Sequence, residues 1–456
     1  MRNLIIFAIA MSSLMWSCRK DEHTTSDPTA KLTFSADSVL FDTVFTSVGS
    51  ITRRIKIINQ NHAAVVISSI ELGGGAASAY RLNINGESTL KRNDLKINAG
   101  DSVNLFVKVT IDPDSKELPF IVQDSVIIKT NGNKQMIQLQ AYGQNAVFIN
   151  QSVIANNTNW TSKLPYIIKG EVTVKDHAVL NISPGAKVYF HNDAGLAVEG
   201  RLIAEGTANE PVLFCSDRLE TVYSEQAGQW KGIHLKKTGT GLIKHAIIKN
   251  ASVGVTSDSL SYTNEPKLIL SSNIIKNMQV AGYIGNHSEL TAFNNLFYNC
   301  GNYLLYAVGG GEYNIKQNTF AGYNEDFPRK TAALSFTDFL SSKVYNNLNL
   351  NLTNNIIWGI LSNEIDIQRK TSANIQTNIY NNLIKTTNTN YANHGNKLNV
   401  EPLFVSAKNR NFKLLTGSPA KNAGINLTSD VYFGSYLDKD LQNKPRAFPS
   451  SLGCFE

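Results

Sequence analysis

Asn273-Ile274-Ile275, Asn294-Asn295-Leu296-Phe297, Asn318-Thr319-Phe320, Asn354-Asn355-Ile356-Ile357 and Asn381-Asn382-Leu383-Ile384 repeat one cassette, an asparagine followed by an apolar pair. Asn273 and Asn295 are 22 residues apart, and Asn295 and Asn318 are 23 apart. That period fits one coil of a parallel β-solenoid, in which successive coils stack at about 4.8 Å. Asparagines in register can ladder their amides at a turn, while the apolar pair opens an inward-facing strand. The later gaps of 37 and 27 residues, to Asn355 and then Asn382, mark inserted loops. Asn295 and Asn318 should therefore occupy equivalent turns of adjacent coils.

Working outward, residues 31–147 show the other β period. Ile55/Ile57, Leu82/Ile84, Val103/Leu105/Val107/Val109 and Ile137/Leu139 each place apolar side chains on one strand face. Turn signals separate them at Asn59–His62, Gly73-Gly74-Gly75, Asn98-Ala99-Gly100-Asp101 and Asn131-Gly132-Asn133. The reading is a two-sheet sandwich. Charged residues are only 17% of the chain, and the formal charge of +7 is spread without a dense Lys/Arg block. Nucleic acid is therefore not an expected partner. No CxxC or Cys/His metal spacing exists, so no metal or cofactor is expected. Cys215, Cys300 and Cys454 read as buried thiols, with a Cys215–Cys300 disulfide left open.

Several stretches resemble known families. Leu4 to Met15 is an apolar run too short for a bilayer, and it ends at Ser17-Cys18 before Arg19-Lys20-Asp21-Glu22. This resembles a bacterial lipoprotein signal with the surface-export cluster of the Bacteroidota. The resemblance implies cleavage after residue 17, lipid on Cys18, an outer-membrane location with surface exposure, and a tether over residues 18–30. Val48-Gly49-Ser50-Ile51 through Asn59, then Ile97 to Val103, resemble the abnormal-spindle/Hydin type of immunoglobulin-like domain, usually a spacer. Gly170 to Val174, Val179 to Phe190, Leu196 to Gly206, Pro211 to Phe214 and Gly228 to Ile233 resemble the right-handed parallel β-helix repeat proteins of pectate-lyase fold.

The fold expected is thus all-β: an immunoglobulin-like sandwich, then a right-handed parallel β-helix over residues 148–395, then closing coils over 396–456. Glu401-Pro402-Leu403-Phe404, Asp440 to Arg446 and Leu452 to Glu456 resemble the closing segment of bacterial β-helix proteins. Asn443 stands where that pattern has glycine, and Cys454 where it has alanine. The segment is expected to cover the open last coil, with Arg446, Glu456 and Asp440 as structural partners.

Chemistry is less legible. The Asp-Asp and Gly-His-Gly hydrolase signatures of the β-helix fold are absent. Glu364 and Asp366, two apart on a strand with Arg369 beyond, form the best local catalytic constellation; a solvated turn explains it equally. Each histidine stands at an unrelated offset. Tyr303, Tyr306, Tyr313, Tyr323 and Asp326 cluster around the longest insertion and offer aromatic platforms for a sugar polymer. Filling the bore of the solenoid is the alternative for those rings. The reading is a surface lipoprotein whose β-helix contacts polysaccharide or another surface polymer, with catalysis not evident. The alternatives are a polysaccharide lyase or glycoside hydrolase, and a structural or adhesive protein.

Overall fold

The computed structural model describes residues 23–113, 119–324, 328–341, 344–370 and 373–456. Cys18 and Asp326 lie outside the described residues. The chain divides into two compact units, Met1–Asn145 and Ala146–Glu456.

The first unit is a sandwich of a six-stranded and a five-stranded sheet. Alternation drives it: along Ser102–Val109 every second side chain is buried, and Val103, Leu105, Val107 and Val109 enter one core with Ile137 and Leu139 of the other sheet. Asn131 and Gly132, both at positive φ, close the hairpin between Phe120–Thr130 and Asn133–Gln144. Thr24–Thr25 pairs in parallel with Ala64–Val65, and Ala30 is buried. Those residues, expected to be tether, are thus part of the sandwich, because the sheet edge offers unpaired backbone groups that Thr24–Thr25 satisfies.

The second unit is a parallel β-helix built on one 25-stranded sheet. Strands stack coil upon coil in parallel register, as in Ile247, Ile274, Leu296, Thr319, Ile356 and Leu383. Inward side chains fill the bore: Trp230 lies flat on Phe190 with ring centroids 4.0 Å apart, and Phe297 on Phe320 at 5.0 Å. The triplet Gly309-Gly310-Gly311, all at positive φ, bends the strand Tyr303–Lys316. At Gly311, with φ of +123°, an added Cβ would sit 2.1 Å from the Ser288 carbonyl oxygen.

The asparagine cassettes form the expected ladder. Asn295 donates its backbone N–H to Asn318 Oδ1 at 2.8 Å, and Asn318 donates likewise to Asn355 Oδ1. Asn273 and Asn382 extend the column, which ends on Asn396. The residue before each rung, as at Asn294 and Asn354, is left-handed, which turns the chain sharply enough to bury the next amide.

From Phe404 on, the closing segment packs on the flank of the β-helix rather than on the last coil. Phe404, Phe412, Leu441, Leu452 and Cys454 pack on the outward residues Leu296, Tyr298, Ile356, Trp358 and Leu383, along the flank of the helix. That flank is apolar on its outer side, so it needs a cover more than the coil end does. At the end itself, Tyr391 and Leu398, the latter in the first strand of the closing coils, pack on the main core. Arg446 holds the flank cover together: it donates to Glu456 Oε2 at 3.0 Å, Asn294 Oδ1 at 2.7 Å and the Gly453 carbonyl. Asp440 Oδ2 accepts from the Glu456 N–H, and Asn443 adopts the left-handed backbone that glycine would favour. Cys215, Cys300 and Cys454 are free and buried.

Candidate functional site

The sequence-selected residues separate in three directions. Glu364 is fully buried and bidentate with Arg329, whose Nη2 lies 2.7 and 2.6 Å from its two oxygens. Its carboxylate also accepts from the Leu361 and Ala333 amides. Gly322 and Gly359 make the room, since a Cβ at Gly359 would meet Glu364 Oε1 at 2.2 Å. Burial raises the Glu364 carboxyl above its usual range, against the opposing pull of Arg329. This pair ties residues 328–333 to the coil and is closed to substrate, so Glu364 is no catalytic acid. It precedes the strand Ile365–Gln368, so the two-residue alternation that would align it with Asp366 does not yet apply. Arg369 is exposed past the end of that strand and donates to the Ala373 carbonyl.

Among the tyrosines, Tyr313 is 1% exposed and packs edge-on against Phe336 in the bore. Tyr323 sits between Phe404 and Phe412 under the flank cover. Tyr313 is therefore closed to a ligand, and Tyr323, though partly exposed, has its ring contacts within the protein. Tyr303 and Tyr306 are partly exposed and stack on each other, their rings nearly parallel, 4.5 Å apart at 12°. Simple strand alternation would put residues three apart on opposite faces. Here the Leu304 and Leu305 amides both donate to the Ala333 carbonyl, and both side chains turn inward. This local irregularity aims the flanking tyrosines outward together.

Beside Tyr303 opens a cleft of ≈ 560 Å³, lined also by Lys330, Asn363, Asp366, Gln368 and Tyr391. Tyr306, Ser335 and Asp366 are register partners on three successive coils, so one column of the outer sheet face runs from the tyrosines into the cleft. Asp366 Oδ2 accepts from Gln368 Nε2 at 2.6 Å. Burial, then the charge of Asp366, raises the Tyr391 phenol above its ordinary value. Tyr391 stands on a short turn, Thr389–Ala392, capped by Asn388. Nothing in the sequence marked Asn363 or Tyr391, because only coil register brings them beside Tyr303. Two histidines also gain partners: His191 Nδ1 lies 2.7 Å from Asp217 Oδ2, and His234 Nε2 lies 2.7 Å from Asp258 Oδ2.

No family model matches the chain, and no curated protein does. Solved structures do. One is a family 123 glycoside hydrolase from Clostridium perfringens, 10% identical over 26% of each chain, with a TM-score of 0.18. This chain therefore spans about a quarter of that hydrolase (26%). Another is the complex of XylC with xylose, 9% identical over 82% of this chain and 79% of that one, with a TM-score of 0.34.

Proposed function

We propose that this chain is a surface lipoprotein, anchored through lipid on Cys18, whose β-helix binds polysaccharide at the cleft beside Tyr303 and Tyr306. The parallel, outward-facing tyrosine pair carries the reading. A sugar ring presents an apolar C–H face that stacks on an aromatic ring, while its hydroxyls need both donors and acceptors. Lys330, Asn363, Asp366 and Gln368 supply these along the cleft wall. The sandwich, read as immunoglobulin-like, serves as the spacer between membrane and binding face.

Binding is favoured over hydrolysis by one observation. Asp366 is the single carboxylate among the described residues lining the cleft. Glycosidases ordinarily need a second, about 5–10 Å away. The test is affinity electrophoresis of the chain in gels containing acidic and neutral polysaccharides, with products assayed for new reducing ends and unsaturated sugars. Retardation without products, abolished in Tyr303→Ala/Tyr306→Ala, is the expected result. Retardation that survives that double variant would exclude this cleft, and product release would return the lyase or hydrolase reading. For the anchor, Cys18→Ala should move the protein from the membrane fraction to the soluble fraction.

A further inference from the structure

A different outer face of the β-helix carries rows of amides and carboxylates. In the strand Leu348–Thr353 the sequence Leu348-Asn349-Leu350-Asn351-Leu352 alternates strictly: its leucines are at most 1% exposed, while Asn349 and Asn351 face out. Coil register places Glu289, Glu312 and Asn349 in one column. A parallel column holds Asn314, Asn351 and Asn378. Neighbouring rungs stand about 4.8 Å apart, a spacing at which like charges such as Glu289 and Glu312 repel. Asn378 Nδ2 bridges to Asn351 Oδ1 at 2.7 Å, whereas Asn314 Oδ1 has no hydrogen-bond partner among the described residues.

These columns floor a hollow of ≈ 370 Å³, walled on one side by Tyr432. The Tyr432 ring is braced by Phe293, with centroids 5.2 Å apart. A second hollow of ≈ 460 Å³ shares Glu312 and Asn349 with the first and reaches Tyr345 and His287. The two hollows adjoin at Glu312 and Asn349, with Tyr432 lining one and Tyr345 the other, and are taken together as one groove. Neither lining contains a lysine or arginine among the described residues.

We infer that this groove is a second glycan site, selective for a neutral, hydroxyl-rich chain. Amides donate and accept, carboxylates accept, and both suit rows of sugar hydroxyls. Two adjoining hollows suit several linked sugars better than a single small molecule. The Glu289 and Glu312 carboxylates disfavour polyanions such as uronate or sulfated polymers. The inference stands apart from the cleft beside Tyr303, where Lys330 balances Asp366.

The test uses the full chain carrying Tyr303→Ala/Tyr306→Ala, titrated calorimetrically with neutral glucan, xylan and galactan oligosaccharides. Binding of at least one should persist in that background. Adding Asn314→Ala/Asn351→Ala should weaken it by about tenfold or more, the loss expected for about 1.4 kcal/mol of hydrogen bonding. Asn349→Trp, which fills the groove without removing the Asn378–Asn351 bridge, should abolish it, and unchanged circular dichroism would exclude misfolding. Glu312→Lys should admit anionic oligosaccharides that the parent rejects. Absence of binding to every neutral probe in the Tyr303→Ala/Tyr306→Ala background overturns the groove while leaving the tyrosine cleft untouched. Binding that Asn349→Trp does not alter overturns it as well.

Discussion

Replacing Asn318 by alanine tests the asparagine ladder directly. Asn318 is fully buried. Its Oδ1 accepts from the backbone N–H and the Nδ2 of Asn295, at 2.8 and 2.9 Å. Its Nδ2 donates to the Ala292 and Lys316 carbonyls, both at 2.9 Å, and to Asn355 Oδ1 at 3.1 Å. After truncation, Asn355 Oδ1 keeps its bond from the Asn318 N–H, and Asn295 Nδ2 keeps the Leu270 carbonyl. The Asn295 backbone N–H keeps nothing. An orphaned buried donor costs about 1–3 kcal/mol, and each further lost bond about 0.5–1.5 kcal/mol net. The expected loss is at least about 3 kcal/mol. Asn396→Ala, at the partly exposed end of the column, should cost only about 1 kcal/mol because water replaces its partners. In a chain expressed from residue 18, which lacks Trp16, the tryptophans are Trp160, Trp230 and Trp358, all in the β-helix unit, so tryptophan fluorescence during urea unfolding reports that unit rather than the sandwich. Equal losses for Asn318→Ala and Asn396→Ala, or a wild-type midpoint for both, would refute the ladder as a source of stability.

Other expectations follow from buried and semi-buried groups. Arg329→Met strips Glu364 of its counter-charge inside the protein, so the urea midpoint should fall by the equivalent of about 3–5 kcal/mol, and Glu364→Leu added to it should recover part of the loss. Burial pushes the Glu225 carboxyl upward, but Lys276, Asn277 and Lys249 outweigh it and hold the group at about 2. A depressed carboxylate stabilises the fold above its unfolded value, here 4.5, and that contribution is lost as pH falls toward about 2. Glu225→Gln should therefore lower stability at pH 7 and flatten its decline between those values, as followed by thermal melting against pH. Burial pushes the Cys215, Cys300 and Cys454 thiols up to about 12. Iodoacetamide should spare them in the native protein and label all of them, without reductant, in denaturant, as read by mass spectrometry; a disulfide would leave a pair unlabelled.

The β-helix was legible in the sequence because its determinants are local and repeat. A ladder asparagine needs a left-handed residue before it and an apolar pair after it, so each rung writes the same short cassette. Strand alternation exposed the sandwich in the same way, and the Asp440, Arg446 and Glu456 partnership was readable from its motif. The site was not legible, because it is made by register between coils. Tyr303, Tyr313 and Tyr323 look alike in sequence, yet one faces the cleft, one fills the bore and one lies under the flank cover. Glu364 and Asp366 are two residues apart, yet a turn sends the first into an ion pair with Arg329, 35 residues away, and a strand sends the second to the surface. The same sequence distance can carry a side chain to either side of a solenoid wall. Inward or outward is decided only when the coils stack, since each wall needs one apolar face and every buried polar group needs a partner from a neighbouring coil.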